Sequence, residues 1–232
     1  MSKPWFPNTA QWPVEHPERL QLYTMATPNG QKVSIALEEM QLPYEWHLVN
    51  IIKDDQHQPD YRKLSPNGKI PTIIDPDGPG GEPLIMMESG AILLYLAEKT
   101  GQLMPSDEQG KLAVQQWLFF QMAHVGPMFG QFGHFFKFAA DKTTDDYGVN
   151  RYTGEAKRLL QVMDDRLAES RYIAGDTYSI ADVATFPWIN ALDFYNGKEA
   201  LEYDRFTHVK RWCDACNELP ASQVGSKIGV PE

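Results

Sequence analysis

Cysteine is scarce in this chain, since its 232 residues include only Cys213 and Cys216. Two cysteines permit at most one disulfide, which excludes the disulfide framework that stabilises many small secreted domains. Their Cys-x-x-Cys spacing has two interpretations: a redox pair, or two small residues one turn apart on the last helix, near Trp212. The second is favoured because a redox pair normally begins a helix that follows a strand. Two thiols alone make a poor zinc site, so no metal is expected.

Positive charge is also in short supply. Lys and Arg total 21 against 31 Asp and Glu, which gives a formal net charge of -10. A nucleic-acid partner requires a basic face, so none is expected. A small anionic ligand remains compatible with this balance, because helix N-terminal amides and one cationic side chain are enough to bind it.

Long hydrophobic runs are missing as well. No stretch of about 18 apolar residues occurs, so no contact with a membrane is expected. Residues 1–7 lack the apolar segment of a secretory signal, and we therefore expect a cytoplasmic protein. Hydrophobic residues still make up 42% of the chain, which predicts a packed core rather than disorder.

The sequence does contain a change of pattern near residues 100–108. Before it, alternating or apolar segments predict strands at residues 20–23, 44–49, 70–74 and 84–87. Helices are predicted after residue 27 and from Ser89 to about Lys99, while residues 50–65 read as irregular. Beyond it, only helices are predicted, at residues 112–120, 155–167, 180–192 and 208–218. We therefore expect an extended arm at 1–18, an α/β domain at 19–100, a linker at 101–108 and an all-helical domain at 109–232.

The turn after the first strand carries Thr27 and Asn29 in the order Thr-Pro-Asn-Gly. A hydroxyl, an amide and the positive end of a helix dipole meet at such a turn, which favours ionisation of a thiol placed there. The alternative is a turn chosen only for its backbone shape.

Two further short motifs are compatible with a peptide-like ligand. Pro71 at the entry of the third strand is either an ordinary trans proline or a cis proline that leaves the backbone of Ile70 free to pair with a ligand. Glu88 and Ser89 lie where the fourth strand meets a helix, and either cap that helix or bind the ammonium and carboxylate of an α-amino acid.

Two segments of the second half have mainly structural interpretations. Ser179 and Asp182 have the spacing of a helix capping box, to which we assign no catalysis. Residues 117–138 are rich in aromatics and glycine, a pattern equally compatible with an apolar substrate wall and with core. His124 and His134 within this segment are interpreted as packing or solvated residues.

Together these motifs resemble the cytosolic glutathione transferases over about residues 19–220. Lys69-Ile70-Pro71 followed by Glu88-Ser89 is a specific pair of motifs for that family. The resemblance implies a thioredoxin-like βαβαββα domain followed by an all-helical domain. Within the family the sequence is closest to the nu class, judging by Thr-Pro-Asn-Gly at 27–30, Gly-Pro-Met at 126–128 and Asn-Arg-Tyr at 150–152.

The resemblance also assigns roles to these residues. It implies that Pro71 is cis, that Ile70 pairs with the cysteinyl part of glutathione, and that Glu88 and Ser89 bind its γ-glutamyl group. Thr27 and Asn29 then activate the sulfur. Gln56 and Lys69 are further candidates for binding the glycyl carboxylate. Arg151 is a candidate for binding a second glutathione, or alternatively pairs with Glu155 four residues later.

The function implied is glutathione-dependent disulfide reduction by a homodimer, with glutathione as the cosubstrate and some reduction of organic peroxides. Tyr23 is a rival ligand of the sulfur, disfavoured because the family match places it inside the strand. The alternative functions are conjugation of glutathione to apolar electrophiles and a non-catalytic regulatory role on the same fold.

Overall fold

The structure is a computed structural model that describes residues 11–142 and 144–231. Its contacts divide the chain into two compact units, one formed by residues up to Thr100 together with residues from Pro220 onward, and the other by Gly101–Leu219. All four strands lie in the first unit and the second unit is helical, so the predicted fold class, α/β plus all-α, is confirmed. The boundaries differ from the expected ones at two places, because the residues from Pro220 onward pack on the first unit and residues 101–108 belong to the second.

A four-stranded mixed sheet organises the first unit. Its strands are β1 (Leu20–Thr24), β2 (Tyr44–Leu48), β3 (Thr72–Asp75) and β4 (Leu84–Met87), in the spatial order β2-β1-β3-β4. β1 is parallel to β2 and antiparallel to β3, and β4 is antiparallel to β3. The carboxyl ends of β1, β2 and β4 and the amino end of β3 therefore lie at the same edge of the sheet.

Helices make up most of the remaining described residues. In chain order they are α1 (Pro28–Glu39), α2 (Pro59–Leu64), α3 (Ser89–Thr100), α4 (Glu108–Phe120), α5 (Gly126–Gly133), α6 (Tyr147–Glu169), α7 (Ile180–Tyr195), α8 (Thr207–Asn217) and α9 (Pro220–Gly225). None of these helices combines the length and the apolar character needed to cross a membrane.

Both faces of the sheet are covered within the first unit. Leu22 and Ile73 are register partners on one face, while Tyr23 and Ile74 project to the other because side chains alternate along a strand. This second face carries a buried cluster that also contains Trp12, Val49, Tyr61 and Leu64.

The amino-terminal arm expected at 1–18 is part of the first unit from residue 11 onward, and its first ten residues lie outside the described part. Only 5% of Trp12 is exposed, and its indole N–H donates to the Leu48 carbonyl at 2.6 Å. The backbone N–H groups of Glu15 and His16 both donate to the carboxylate of Glu45 on β2. Residues 11–18 therefore contact the outer strand of their own sheet.

Two segments of the first unit differ in detail from their predicted secondary structure. The strand predicted from residue 70 begins at Thr72, since Pro71 has no N–H with which to join the sheet. Residues 50–65, predicted as irregular, contain two 3-10 turns and α2.

In the second unit, residues 121–138 are helical almost throughout, with π-helical turns on either side of α5. Glycine permits close packing here, since a Cβ on Gly133 would lie 2.5 Å from the ring of Tyr195. Phe129 and Phe132 are buried core residues, whereas Phe138 and both histidines of this segment are exposed.

Candidate functional site

One edge of the sheet gathers the site residues predicted in the first half of the chain. Thr27 and Asn29 follow β1, Gln56 follows β2, and Glu88 and Ser89 follow β4. Ile70 and Pro71 precede β3, which runs in the opposite direction, so they reach the same edge. The strand order thus brings together motifs that are separated by up to 62 residues in the sequence, from Thr27 to Ser89.

Thr27 is the N-cap of α1. Its side-chain oxygen accepts a hydrogen bond from the Gly30 N–H at 3.3 Å, which leaves the hydroxyl hydrogen available for a further acceptor. Asn29 lies in the first turn, half-buried. Gly30 is required by packing, because a Cβ there would lie 2.0 Å from the Met25 carbonyl oxygen. The turn therefore has a structural role and also presents a hydroxyl and an amide at the positive end of a helix.

Backbone carbonyls of residues 225–229 accept hydrogen bonds from this turn and from α1, a contribution that the sequence analysis missed. The Ala26 N–H donates to the Gly229 carbonyl at 2.9 Å. The Ser34 hydroxyl donates to the Gly225 carbonyl at 2.7 Å, and the Gln31 amide donates to the Ser226 carbonyl at 3.0 Å. These bonds fix both the turn and the first two turns of α1.

The segment before β3 is positioned by α2. The Tyr61 hydroxyl donates to the Lys69 carbonyl at 2.8 Å, and the Ser65 hydroxyl donates to the same carbonyl at 2.8 Å. The Ile70–Pro71 peptide bond that follows is cis, as the family resemblance implies and contrary to the simplest interpretation of an isolated proline.

Gln56 lies beside this segment. A Cβ on Gly68 would approach the Gln56 carbonyl oxygen to 3.2 Å, so the two stretches of backbone are in contact. The Gln56 side-chain oxygen is buried with no hydrogen-bond partner in the described part of the chain, and Lys69 is exposed. The Gln56 amide nitrogen donates to the Asp54 carboxylate at 3.4 Å, so the side-chain group without a partner is an acceptor.

Glu88 and Ser89 have distinct environments. Glu88 has a φ of 71°, a left-handed conformation that is rare for a residue with a side chain and is often found at functional sites. Its carbonyl accepts the first helical bond of α3, from Ile92, and its side chain is exposed. Ser89 is buried, and its hydroxyl oxygen lies 3.5 Å from the Lys32 ammonium nitrogen.

Lys32 was not among the predicted site residues. It lies on α1 three residues after Asn29, a spacing that places both on the same side of a helix, and this is the signal that was available in the sequence. Burial lowers the pKa of Lys32 to about 7, while the negative charge of Glu88 opposes this shift. The site therefore contains a buried amine whose charge changes near neutral pH.

Arg151 lies in the second unit, exposed near the start of α6. The Glu155 carboxylate is bound through two nitrogens by Arg158, at 2.7 and 2.9 Å, and the positive charge of Arg151 acts on it from a greater distance. This contact with Arg158 holds the pKa of Glu155 below its usual value.

The remaining candidates are core residues. Tyr23 is fully buried, with its ring stacked on His47 at a centroid distance of 4.6 Å. Cys213 and Cys216 are buried on α8 and are not joined in a disulfide, and burial raises the pKa of Cys213 to about 12, which makes it a poor nucleophile. Within the described residues, no group of three or more His, Cys, Asp or Glu side chains is arranged to hold a metal.

Comparison with known sequences gives the family. The profile described as Glutathione S-transferase, N-terminal domain, matches residues 26–99, and the profile described as Glutathione S-transferase, C-terminal domain, matches residues 146–215. The chain belongs to the glutathione S-transferase family. The family predicted from the motifs is therefore confirmed, and its thioredoxin-like domain contains the gathered site residues.

Individual family members extend this comparison. Disulfide-bond oxidoreductase YfcG of Escherichia coli (strain K12) is 42% identical over 204 residues, which cover 88% of this chain and 92% of that protein. A glutathione transferase from Burkholderia graminis superposes with a TM-score of 0.94 at 52% identity, covering 96% of this chain and 93% of that one, and has two glutathione molecules bound per subunit. A glutathione transferase from Pseudomonas putida has a TM-score of 0.94 at 50% identity, covers 96% and 97%, and has one glutathione disulfide bound per subunit.

Proposed function

We propose that this family member is a glutathione-dependent disulfide-bond oxidoreductase of the nu type. The observation that carries the proposal is the gathering of Thr27, Asn29, cis-Pro71, Glu88 and Ser89 at one sheet edge. The 42% identity to a disulfide-bond oxidoreductase and the two glutathione units bound by each structural relative support the same reaction.

Each part of the tripeptide has a chemically suitable partner. Glu88 offers a carboxylate for the glutamyl ammonium, and Ser89 offers a hydroxyl for the glutamyl carboxylate. The backbone of Ile70 pairs with the cysteinyl residue as an added strand would. Gln56 and Lys69 provide an amide and a positive charge for the glycyl carboxylate.

Thr27 and Asn29 activate the sulfur as hydrogen-bond donors. A free thiol of pKa about 8.5 is only about 3% ionised at pH 7, and lowering the pKa by about two units makes it about three-quarters ionised. This change corresponds to roughly 2.7 kcal/mol, which one or two charge-assisted hydrogen bonds supply at roughly 1.5–3 kcal/mol each. The mechanism therefore requires no protein base.

The reaction consumes two thiols. The thiolate of one glutathione attacks a substrate disulfide, forms a mixed disulfide and releases the first substrate thiolate. The thiolate of a second glutathione then attacks the glutathione sulfur of the mixed disulfide, releasing the second substrate thiolate and forming glutathione disulfide. The two substrate thiolates take up the two protons that the glutathione thiols have lost. The first half of the chain has no cysteine, so glutathione supplies both thiols.

The proposal also includes the biological setting implied by the resemblance. The protein acts as a cytoplasmic homodimer and reduces organic peroxides as a side activity. Conjugation of glutathione to apolar electrophiles would use the same binding residues, and comparison of a small disulfide with a chlorinated arene as substrates separates the two reactions.

Asn29→Ala is expected to lower kcat about 10- to 100-fold with little change in glutathione affinity, because its proposed contact is to the sulfur. Steady-state kinetics with a small disulfide and calorimetric binding of glutathione provide the two readouts. Ser89→Ala is the matched comparison, with the opposite expectation of weaker binding and nearly unchanged turnover of the bound complex. Equal losses of binding and turnover in both variants would argue against the division of roles.

Arg151→Ala is expected to reduce the binding of reduced glutathione from two molecules per subunit to one. The planar guanidinium suits a carboxylate of the second tripeptide, and no ion pair with Glu155 occupies it. Stoichiometry is measured by calorimetry, with Lys157→Ala on the same helix, whose ammonium pairs with Glu202 rather than Glu155, as the control that keeps both sites. A single site in the native protein, unaffected by Arg151→Ala, contradicts the two-thiol mechanism and favours conjugation.

A further inference from the structure

The direction in which a tripeptide lies at the proposed site follows from the register of the sheet. β3 and β4 pair so that Glu88, which follows β4, lies beside the start of β3. A glutamyl group at Glu88 and a cysteinyl group paired with Ile70 place the ligand antiparallel to the segment that enters β3. The glycyl residue therefore falls beside the two residues that precede Ile70, which are Gly68 and Lys69.

The side chain of Arg62 on α2 lies at this position. A Cβ on Gly68 would lie 2.5 Å from the guanidinium nitrogen Nη1 of Arg62 and 3.3 Å from its Cδ, so the arginine rests on the backbone of this glycine. Gly68 is buried although Arg62 itself is exposed, and its φ of 64° lies in the left-handed region that favours glycine. The absence of a side chain at Gly68 thus admits a guanidinium beside the segment that enters β3.

The guanidinium of Arg62 has no carboxylate partner in the described part of the chain. Asp60, two residues earlier on α2, pairs with Lys63 at 2.6 Å. Asp54, in the loop that precedes α2, accepts a hydrogen bond from the Gln56 amide nitrogen at 3.4 Å. Because a guanidinium carries five N–H donors and no acceptor, Arg62 is available to bind an anion at this position.

The residues already assigned to the glycyl carboxylate do not supply two parallel donors. Gln56 has one of its two amide hydrogens engaged with Asp54, and the ammonium of Lys69 is a point charge on a flexible stem. The guanidinium of Arg62 is planar and presents paired N–H groups that match the two oxygens of a carboxylate. Its contact with Gly68 also places it before a ligand arrives, so less conformational freedom is lost on binding.

We propose that Arg62 is a specificity-determining residue of the glutathione site, and that its guanidinium binds the free glycyl carboxylate through both oxygens. This inference deepens the proposed function and rests on it, because the positions of the glutamyl and cysteinyl groups are taken from it. The site is therefore expected to select thiols that end in a free carboxylate over peptides in which this end is amidated or extended.

The experiment compares two ligands on the same protein: S-methylglutathione, and its analogue in which the glycyl carboxylate is a primary amide. Calorimetry is expected to show about 5- to 20-fold tighter binding of the carboxylate form to the native protein. If two ligand molecules bind per subunit, the site compared is the one that Ser89→Ala weakens.

Three variants test the role of the guanidinium. Arg62→Met keeps an apolar stem over Gly68 and is expected to reduce the preference to about twofold, since Lys69 still contributes its charge. Arg62→Lys keeps the charge without the planar fork and is expected to restore no more than about a threefold preference. Lys63→Met, at the next position of α2, is the matched control and keeps the native preference. The preference is a ratio measured on one protein sample, so a partly unfolded variant does not change it.

The outcomes separate this inference from the proposed function. Native protein that binds both ligands equally tightly overturns the inference, and so does a preference that Arg62→Met retains in full. Native protein that binds neither ligand, or whose binding is unchanged by Ser89→Ala, instead removes the proposed glutathione site at this edge of the sheet, and the inference with it.

Discussion

Asp182→Ala is expected to lower the free energy of unfolding by about 3–5 kcal/mol, because it leaves several buried donors without an acceptor. The carboxylate of Asp182 is fully buried and accepts from four groups: the Ile173 N–H at 2.8 Å, the Ser179 N–H at 2.9 Å, the Ser179 hydroxyl at 3.0 Å and the Trp212 indole N–H at 2.9 Å. It therefore joins the start of α7 to the preceding loop and to α8.

Denaturation in urea at pH 7.5 tests this value. Burial raises the pKa of Asp182 to about 6, with the four donors opposing the shift, so the group is ionised at this pH. Ser179→Ala, which removes the N-cap hydroxyl, is expected to cost only about 1 kcal/mol. Asp165→Ala, at an exposed position of α6, is the control with almost no effect. A loss in Asp182→Ala no larger than that in Ser179→Ala would show that the loop and α8 contacts contribute nothing.

Lys32→Met is expected to stabilise the protein by about 1–4 kcal/mol at pH 7. The folded state lowers the pKa of this lysine from 10.5 to about 7, so between these values the unfolded chain binds more protons than the folded one. The free energy of unfolding of the native protein therefore rises with pH between about 7 and 10.5 because of this group. Methionine has no such dependence, so the advantage of the variant is greatest at pH 7 and disappears near pH 10.

Urea denaturation of both proteins at pH 7 and pH 10 measures this difference, in which effects of other titrating groups cancel. Lys63→Met, being exposed, is expected to match the native protein at both values. If Lys32→Met is equal to the native protein at pH 7, the lysine is not held at a cost to stability. An advantage that grows toward pH 10 would contradict the direction of the pKa shift.

Local patterns in the sequence were sufficient for most elements of the fold. β4 matches its predicted bounds, and α7 begins at the predicted residue because Ser179 and Asp182 form the capping box identified from their spacing. Residues 121–138 were not predicted as a helix because their glycines weaken local propensity. Packing against Trp188 and Tyr195 compensates for this weakness, and such contacts cannot be read from a local pattern.

The candidate site, like the fold, was predicted from the sequence only in part. Thr27, Ile70, Pro71, Glu88 and Ser89 follow or precede strands, so the family motifs together with the strand order were enough to bring them together. Four contributions escaped prediction because each depends on contacts outside its own helix or turn: the buried amine of Lys32, the Tyr61 bond to Lys69, the additional partners of Asp182, and the bonds from residues 225–229 to the turn at Ala26 and to α1. A capping box alone accounts for only about 1 kcal/mol, which is why the spacing of Ser179 and Asp182 underestimates the role of the aspartate.

The contacts between α9 and α1 have a consequence for the order in which the chain is made. The 119 residues of Gly101–Leu219 must be synthesised between Thr100 and Pro220, which takes about 6–24 s at roughly 5–20 residues per second. During this interval the face of α1 that receives Gly225 has no cover, and the turn at Ala26 lacks the Gly229 carbonyl. A ribosome-bound chain thus has the strands of the sheet before the residues from Pro220 onward are available to cover α1 and to complete the turn at Ala26.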